Sequence, residues 1–239
     1  MTVNIVTTCN AEQWYEYGYD MAESVATYWH DMRLTVYGDE IFEMPAGVKF
    51  AHMPAWHDDF KARYRFDKSA HGLVGNESYN FRRDCVKFSH KIAALTDRPQ
   101  SDYIVWMDID TIAFNHVTPK MVKSWIKPNT YIAWLDRINL YPECGFMIFD
   151  CNHPQHDDFM KKLSALYATG NVLHMAQTHD SYIIEYLIKN MKLPTTSLSG
   201  VHRNKHHPMA FCEISKYLDH FKGKRKLLGY SPERVSKGH

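Results

Sequence analysis

The sequence predicts an α/β fold in which a mainly parallel, Rossmann-like central sheet is flanked by helices. Short apolar runs of strand length alternate with segments whose apolar residues recur at helical spacing. The 239-residue chain is 45% hydrophobic and 14% aromatic, which is enough for one large core. Its 28 basic and 27 acidic residues nearly balance, so the overall charge favours neither a nucleic-acid partner nor a membrane.

The amino-terminal part predicts strands alternating with a helix. Val3–Thr8 is a first strand, and apolar residues at helical spacing then predict a helix that continues to His30. Residues 34–37 and 48–52 are the second and third strands. From residue 54 to residue 80 the pattern weakens into a polar, glycine-bearing stretch, and loops of this length are either functional lids or mobile segments.

The rest of the chain continues the alternation. An amphipathic helix is predicted from Phe81 to Leu95, with a core face and an opposite basic face formed by Arg83, Lys87 and Lys91. Further strands are predicted at 103–107, 131–135 and 145–149, and further helices at 159–167 and 181–191. The end of the chain is basic and glycine-bearing, so we expect one domain over 1–226 and a loose tail over 227–239.

The cysteines and the apolar patterning bear on location. The five cysteines are odd in number, widely spaced and without a Cys-x-x-Cys pair, which favours free thiols in a reducing compartment. No apolar run reaches the length of a transmembrane segment, and the amino terminus lacks the pattern of a signal peptide. We therefore expect a cytoplasmic protein. The sequence carries no indication of its oligomeric state.

The most informative motif is Asp108-Ile109-Asp110, directly after the apolar run 103–107. In α/β sheets, ligands bind at the carboxyl ends of the strands, so both carboxylates are expected to face a binding crevice. Their mutual repulsion falls when a hard divalent cation lies between them and an anionic substrate, which predicts a metal-bound phosphate. The alternative is that Asp108 caps the next segment and Asp110 is a solvated turn residue.

Several motifs, in order, resemble the GT-A-fold glycosyltransferases, and most closely the retaining, glycogenin-like and lipopolysaccharide-galactosyltransferase-like group. Residues 106–111 match the hydrophobic-Asp-x-Asp-Thr signature, and residues 220–226 keep a His-x-x-Gly-x-x-Lys spacing. The resemblance implies that Asp108, Asp110 and His220 ligate Mn²⁺ or Mg²⁺. It also implies that Gly223 and Lys226 bind the pyrophosphate of a nucleotide-sugar donor.

The same resemblance implies roles for residues nearer the donor. Thr7 and Thr8 would meet the base and ribose, Asp108 would also reach the ribose, and the helix before the metal motif would bind the donor through Lys87 and Arg83. Glu143 stands where the family has an amide beside the sugar. Asp180 is the counterpart of an acid beside the reacting sugar. Glu143 and Asp180 are therefore the candidate catalytic residues.

The reaction implied is transfer of a sugar from UDP to an acceptor hydroxyl, with retention, on an unidentified glycan, lipid or protein. Two other hypotheses stay open at the sequence level. A haloacid-dehalogenase-like phosphatase would use Asp108 as nucleophile and Asp110 as acid. A GT-A-like domain that binds nucleotide or glycan without transfer would explain Glu143, His179 and Ser181, which depart from the family pattern. The cluster of His202, His206 and His207 lacks cysteine partners and is assigned to a loop.

Overall fold

A computed structural model of the chain describes residues 1–74, 78–97, 100–221, 225–228 and 230–235. The strands in these residues are β1 (Val3–Thr8), β2 (Arg33–Gly38), β3 (Val48–His52), β4 (His71–Val74), β5 (Ser78–Asp84), β6 (Tyr103–Met107), β7 (Thr111–Ala113), β8 (Ile132–Arg137), β9 (Leu140–Asp150), β10 (Thr195–Ser197) and β11 (Leu218–His220). The α-helices are α1 (Ala11–Gln13), α2 (Tyr19–Tyr28), α3 (Ala55–Tyr64), α4 (Cys85–Thr96), α5 (Pro119–Trp125), α6 (His156–Ala168), α7 (Asp180–Asn190), α8 (Arg225–Leu228) and α9 (Pro232–Val235). A π-helical turn, Trp14–Gly18, joins α1 to α2, and short 3₁₀ turns are Asn171–His174, Gly200–His202, Pro208–Ala210 and Glu213–Lys216.

Within the described residues, seven strands form the central sheet in the order β10-β8-β9-β6-β1-β2-β3. The pairs β1–β2, β1–β6, β2–β3 and β8–β10 are parallel, whereas β9 runs antiparallel to both β6 and β8. The prediction of a mainly parallel α/β sheet is therefore confirmed. Because β6, β1 and β2 point the same way, their carboxyl ends open onto one edge of the sheet.

Helices cover both faces of the sheet, which explains the unbroken apolar runs in its strands. Met21 and Val25 of α2 and Val122 of α5 pack on one face. Helices α3, α4, α6 and α7 pack on the other face, where α4 and α6 contribute Ile92 and Phe159. All five residues of β6 are buried. Because helices cover both faces of the sheet, the end of β6, which directly precedes Asp108–Asp110, is held in a fixed position.

The structure corrects the predicted boundary of the helix before the metal motif. Helix α4 begins at Cys85, where the Asp84 side chain accepts a hydrogen bond from the Lys87 backbone N–H and caps the helix. Phe81 and Arg83 lie in β5 instead. In the stretch 54–80, the described residues contain α3, β4 and the beginning of β5. Much of β5 is exposed, so its alternating apolar residues Tyr79 and Phe81 do not mark a buried face.

Near the carboxyl terminus the chain returns to the central sheet edge. Strand β11 pairs antiparallel with β7, which follows the Asp108–Asp110 motif directly. The Asp219 carboxylate accepts hydrogen bonds from the Ser231 backbone N–H at 2.8 Å and from the Ser231 hydroxyl at 2.6 Å. Helix α8 crosses the expected boundary between residues 1–226 and 227–239, and that division stays a prediction.

Two further features concern the cysteines and the helices. All five cysteines are free thiols, and burial raises the pKa of Cys9 and of Cys144 to about 12. In the part of the chain that the structure describes, none of the helices has the length and apolar character needed to cross a bilayer.

Candidate active site

Two aspartates occupy the loop between β6 and β7. The Asp108 backbone N–H donates to the Gly145 carbonyl at 2.9 Å, and the Trp106 indole N–H donates to Asp108 Oδ1 at 2.7 Å. Both aspartates are partly buried. The strand therefore ends in carboxylates that are oriented by hydrogen bonds but still open to a ligand.

The pairing of β7 with β11 brings His220 to these aspartates. His220 lies opposite Thr111 in the register, and the Phe221 backbone N–H donates to the Asp110 carbonyl at 2.8 Å. His220 Nε2 is 3.0 Å from Asp110 Oδ1 and 3.7 Å from Asp108 Oδ2. The structure thus brings together the three residues that the sequence predicted as metal ligands.

Gly145 leaves the space that the His220 ring occupies. A Cβ atom at position 145 would lie 2.6 Å from His220 Cε1 and 2.7 Å from His220 Nδ1. Real Cβ atoms do not approach other atoms so closely, and the neighbouring atoms belong to a buried ring rather than to a flexible chain end. Glycine is therefore required at this position for steric reasons.

Glu143 lies against the side of the His220 ring that faces away from the aspartates. Its Oε1 atom is 3.4 Å from His220 Nδ1 and 3.5 Å from His207 Nδ1. The Glu143 side chain is only 2% exposed. Such a carboxylate behind a ligating histidine fixes the orientation of the ring and raises its basicity.

The charges around His220 determine its protonation. Burial lowers the pKa of His220, but the carboxylates of Asp110, Glu143 and Asp108 outweigh burial and raise that pKa to about 10. The His220 side chain is therefore the doubly protonated, positively charged imidazolium when no cation is bound. A metal ion that bound to His220 would displace one of its protons.

Lys91 is the basic residue at the centre of the site, and sequence reasoning assigned it to the exposed face of its helix. Its Nζ atom lies 2.7 Å from Asp108 Oδ1, 2.6 Å from Asp180 Oδ2 and 2.9 Å from the Cys144 carbonyl. Burial lowers the pKa of Lys91, but the carboxylates of Asp108 and Asp180 raise it by more than burial lowers it. The pKa of Lys91 therefore lies above its ordinary value. The ammonium is charged and links the metal motif to Asp180.

Asp180 stands at the first turn of α7, as the sequence indicated. His179 caps this helix, and Asp180 Oδ1 accepts the Ser181 backbone N–H at 2.8 Å. Burial raises the pKa of Asp180, whereas Lys91 lowers it more strongly, so its pKa lies below the ordinary value. Asp180 is therefore an ionised, buried carboxylate that shares one lysine with Asp108.

The remaining predicted residues are placed less centrally. Lys87 is exposed one turn before Lys91, and Arg83 donates to the Met175 carbonyl at 3.2 Å.

Thr7 and Thr8 lie at the end of β1, beside β6. The buried Thr7 hydroxyl has no hydrogen-bond partner among the described residues. The Thr8 hydroxyl donates to the Tyr37 carbonyl at 3.0 Å. Gly223 lies outside the described residues. Lys226 belongs to α8, and the position of its side chain also lies outside the description.

A signal for Lys91 was present in the sequence. The residues that follow it, 92–95, form an uninterrupted apolar run, and in the structure residues 91–96 are all buried. A helix that is apolar on all sides is buried, so a lysine next to such a run needs a carboxylate partner. Two of the acidic candidates, Asp108 and Asp180, supply it.

The ligand set suits a divalent cation. One ligand atom from each of Asp108, Asp110 and His220 lies within 4.8 Å of the others. Four carboxylates, from Asp108, Asp110, Glu143 and Asp180, surround one lysine and one histidine, so additional positive charge is favoured. Two hard carboxylates with one borderline imidazole match the preferences of Mn²⁺ better than those of Ca²⁺.

The chain resembles known proteins in structure rather than in sequence. No protein-family model and no curated protein matches the sequence. The apo structure of WbbM, a bifunctional glycosyltransferase, matches with a TM-score of 0.51 and 10% identity, over 93% of this chain and 46% of WbbM. This chain has the GT-A glycosyltransferase fold. The chain spans less than half the length of WbbM, and the likeness concerns the fold.

The galactosyltransferase LgtC is also similar. Its complex with donor and acceptor sugar analogs is 12% identical to this chain, and an active-site mutant of LgtC is 13% identical. Each match covers 81% of this chain and 72% of LgtC, with a TM-score of 0.46.

Proposed function

We propose that this GT-A-fold chain is a metal-dependent glycosyltransferase that moves a sugar from a nucleoside diphosphate, UDP, to an acceptor hydroxyl. The observation that carries the proposal is the convergence of Asp108, Asp110 and His220 at the carboxyl edge of the sheet, with ligand atoms within 4.8 Å of one another. Retention of the anomeric configuration follows from the resemblance to the retaining group.

Asp108, Asp110 and His220 would hold the cation, which we propose to be Mn²⁺, with Mg²⁺ as its substitute. When bound, the cation would neutralise the charge that develops on the leaving diphosphate. Glu143 keeps the His220 ring turned so that Nε2 faces the aspartates. The proposed role of Glu143 is therefore to position a ligand, rather than to touch the sugar.

Lys91 and Asp180 are proposed to act on the sugar side. Lys91 holds the Asp108 and Asp180 carboxylates close to each other without a large repulsion, because its ammonium lies within 2.7 Å of both. Asp180 is ionised, so it can stabilise positive charge that develops on the sugar ring during transfer. Lys91 is thus a positioning residue and Asp180 the catalytic candidate.

The donor would lie along the same edge. Thr7 and Thr8 end the strand next to β6 and are proposed to meet the base and ribose, which Asp108 also reaches. Lys87, Arg83, Gly223 and Lys226 are proposed donor contacts that rest on the family resemblance. The acceptor is a hydroxyl group of a glycan, lipid or protein.

The phosphatase hypothesis fits the observed geometry less well. Asp108 Oδ1 receives hydrogen bonds or ionic contacts from both Trp106 and Lys91 at 2.7 Å, which lowers its nucleophilicity. The motif also follows the fourth strand of the central sheet along the chain, rather than the first strand. A domain that binds UDP without transferring a sugar is the stronger alternative, and release of UDP from a sugar donor separates it from an enzyme.

The test of the metal site is UDP binding by the Asp110→Ala variant, measured by calorimetry with and without Mn²⁺. We expect Mn²⁺ to be required for tight UDP binding by the parent protein and the variant to lose this requirement together with the affinity. Asp20→Ala, which removes an exposed acid on α2, is the matched control and should bind as the parent does. Unchanged Mn²⁺-dependent UDP binding in Asp110→Ala would place the metal elsewhere.

A further inference from the structure

A second cluster of potential metal ligands lies outside the site described above. Asp39 follows β2, His57 stands in the first turn of α3, and His90 lies in the middle of α4. One ligand atom from each lies within 4.8 Å of the other two. We propose that Asp39, His57 and His90 form a second metal site, which takes a zinc ion.

The hydrogen bonds of His57 leave one ring nitrogen with a free lone pair. The Ser89 hydroxyl donates its only proton to the Val86 carbonyl at 2.6 Å, so it can only accept from His57 Nε2, which lies 3.0 Å away. The Nε2 atom therefore carries the ring proton in neutral His57, and Nδ1 carries the lone pair. His57 is fully buried, and Nδ1 has no hydrogen-bond partner among the described residues.

A buried imidazole nitrogen whose lone pair has no partner destabilises the fold, unless a hydrogen-bond donor or a metal ion binds to it. Burial lowers the pKa of His57 to about 3, which agrees with a ring that stays neutral. Neutral imidazole is the form that binds metal ions.

His90 is oriented in the same sense. Its Nδ1 atom lies 3.1 Å from the Val86 carbonyl, which can only accept, so Nδ1 carries the proton and Nε2 is free to ligate. Nε2 is 3.6 Å from Asp39 Oδ2. Both imidazoles are therefore fixed through one backbone carbonyl, either directly or through Ser89. Such indirect support is characteristic of metal-binding histidines.

Asp39 completes the set and leaves an open side. Its side chain is 45% exposed, so water can occupy a fourth position beside the three protein ligands. Lys61 Nζ lies 2.6 Å from Asp39 Oδ1 and 3.3 Å from Asp58 Oδ1. Asp58 therefore offers this lysine another partner when a cation binds to Asp39.

The ligand chemistry distinguishes this site from the one at Asp108. Two imidazoles and one carboxylate favour zinc, whereas a carboxylate-rich set with phosphate oxygens favours manganese or magnesium. A zinc ion here would join the loop after β2 to α3 and α4, and would fix the segment between β3 and the metal motif. The inference does not depend on glycosyl transfer.

The test is zinc titration of the metal-stripped Asp110→Asn protein by calorimetry, with Co²⁺ absorption as a reporter of tetrahedral coordination. We expect this protein to bind one zinc ion that raises its melting temperature. The further changes His90→Gln and Asp39→Asn, both at accessible positions, should each weaken zinc binding at least about tenfold, while circular dichroism stays unchanged. Lys61→Met should tighten binding several-fold, because it removes a competing positive charge.

The control is His116→Gln, which alters the exposed group of His30, Asp31 and His116. It should leave zinc binding unchanged. The proposal is overturned if the Asp110→Asn protein binds no zinc, if either His90→Gln or Asp39→Asn keeps the affinity of that protein, or if His116→Gln lowers the affinity equally.

Discussion

The positive charge of the buried Lys91 ammonium is balanced by the carboxylates and the carbonyl around it. Its ammonium contacts Asp108 and Asp180 and a backbone carbonyl, and it lies 4.8 Å from the centre of the Trp106 ring. An ammonium in such surroundings is stable only while its carboxylate partners are present, and the same holds for Asp180. Removing the lysine or one of its carboxylates should therefore lower the free energy of unfolding, because the remaining buried charge loses its partner.

Lys91→Met should destabilise the fold by about 3–5 kcal/mol, because Asp180 is left as a buried carboxylate without its cation. Urea unfolding measures this loss. Adding Asp180→Asn to the variant should recover part of the stability, since the uncompensated charge is then gone. Lys87→Met, one turn earlier on the exposed side, is the control and should change stability by less than about 0.5 kcal/mol. Equal effects of the two lysine changes would contradict the assignment of Lys91.

Glu143→Gln should weaken Mn²⁺ binding about 10- to 100-fold, because the His220 ring loses the charge that orients it and increases its basicity. The amide has nearly the same shape, so the fold should be retained. Electron paramagnetic resonance of free Mn²⁺ measures the affinity, and Glu213→Gln, at an exposed pair with Lys216, is the control. If Glu143→Gln binds Mn²⁺ as the parent does but has a higher KM for the donor, Glu143 contacts the sugar instead.

Sequence reasoning named the proposed metal ligands, which the structure brings together, but not the lysine that lies beside them. Asp108, Asp110 and His220 belong to recognisable spacings. Lys91 shares a four-residue spacing with Lys87, and spacing alone does not distinguish a solvent-facing lysine from a buried one. The difference arises from packing, because the second half of α4 lies between the sheet and neighbouring helices.

The β7–β11 pair and β9 are the elements that assemble the proposed metal ligands. Strand β11 delivers His220 from a distant part of the chain, and β9 approaches it closely through Gly145. The position of His220 therefore depends on the backbone of β9 as well as on its own strand. This dependence can be tested without changing any charged group.

Gly145→Ala should displace the His220 ring and abolish measurable Mn²⁺-dependent UDP binding, because the new Cβ atom would lie 2.6 Å from that ring. Calorimetry measures the binding, and circular dichroism checks that the sheet persists. Cys144→Ala, whose side chain belongs to the core on the face with α4, should keep UDP binding. Wild-type binding by Gly145→Ala would mean that His220 is not held as described.

Strands with long apolar runs were predictable, whereas the short strand β11 and the exposed strand β5 were not. Strands β1, β2, β6, β8 and β9 were predicted from apolar runs, and most of their residues are buried. The β4–β5 hairpin was missed because β5 is largely exposed, so its apolar residues belong to no core face. The antiparallel direction of β9 was not predictable either, because an apolar run does not encode strand direction.

The whole molecule combines a GT-A sheet with a carboxylate-rich edge. Parallel strands β1, β2 and β6 have their carboxyl ends at one edge of the sheet, and β11 pairs with β7, which follows β6. The formal net charge is only +1, so electrostatic attraction of a substrate depends on this local arrangement. We propose that this edge of the sheet binds a cation and a UDP-sugar, and that transfer breaks the bond between the anomeric carbon of the sugar and the phosphate oxygen of UDP while the acceptor oxygen bonds to that carbon.

The most direct measurement is release of UDP from a panel of UDP-sugars incubated with the protein and Mn²⁺. In the absence of acceptor we expect slow hydrolysis of at least one donor, which stops on removal of Mn²⁺ and in the Asp180→Asn variant. A protein that binds UDP but releases it from no sugar donor, while hydrolysing a generic aryl phosphate or remaining inert, would contradict the assignment as a glycosyltransferase.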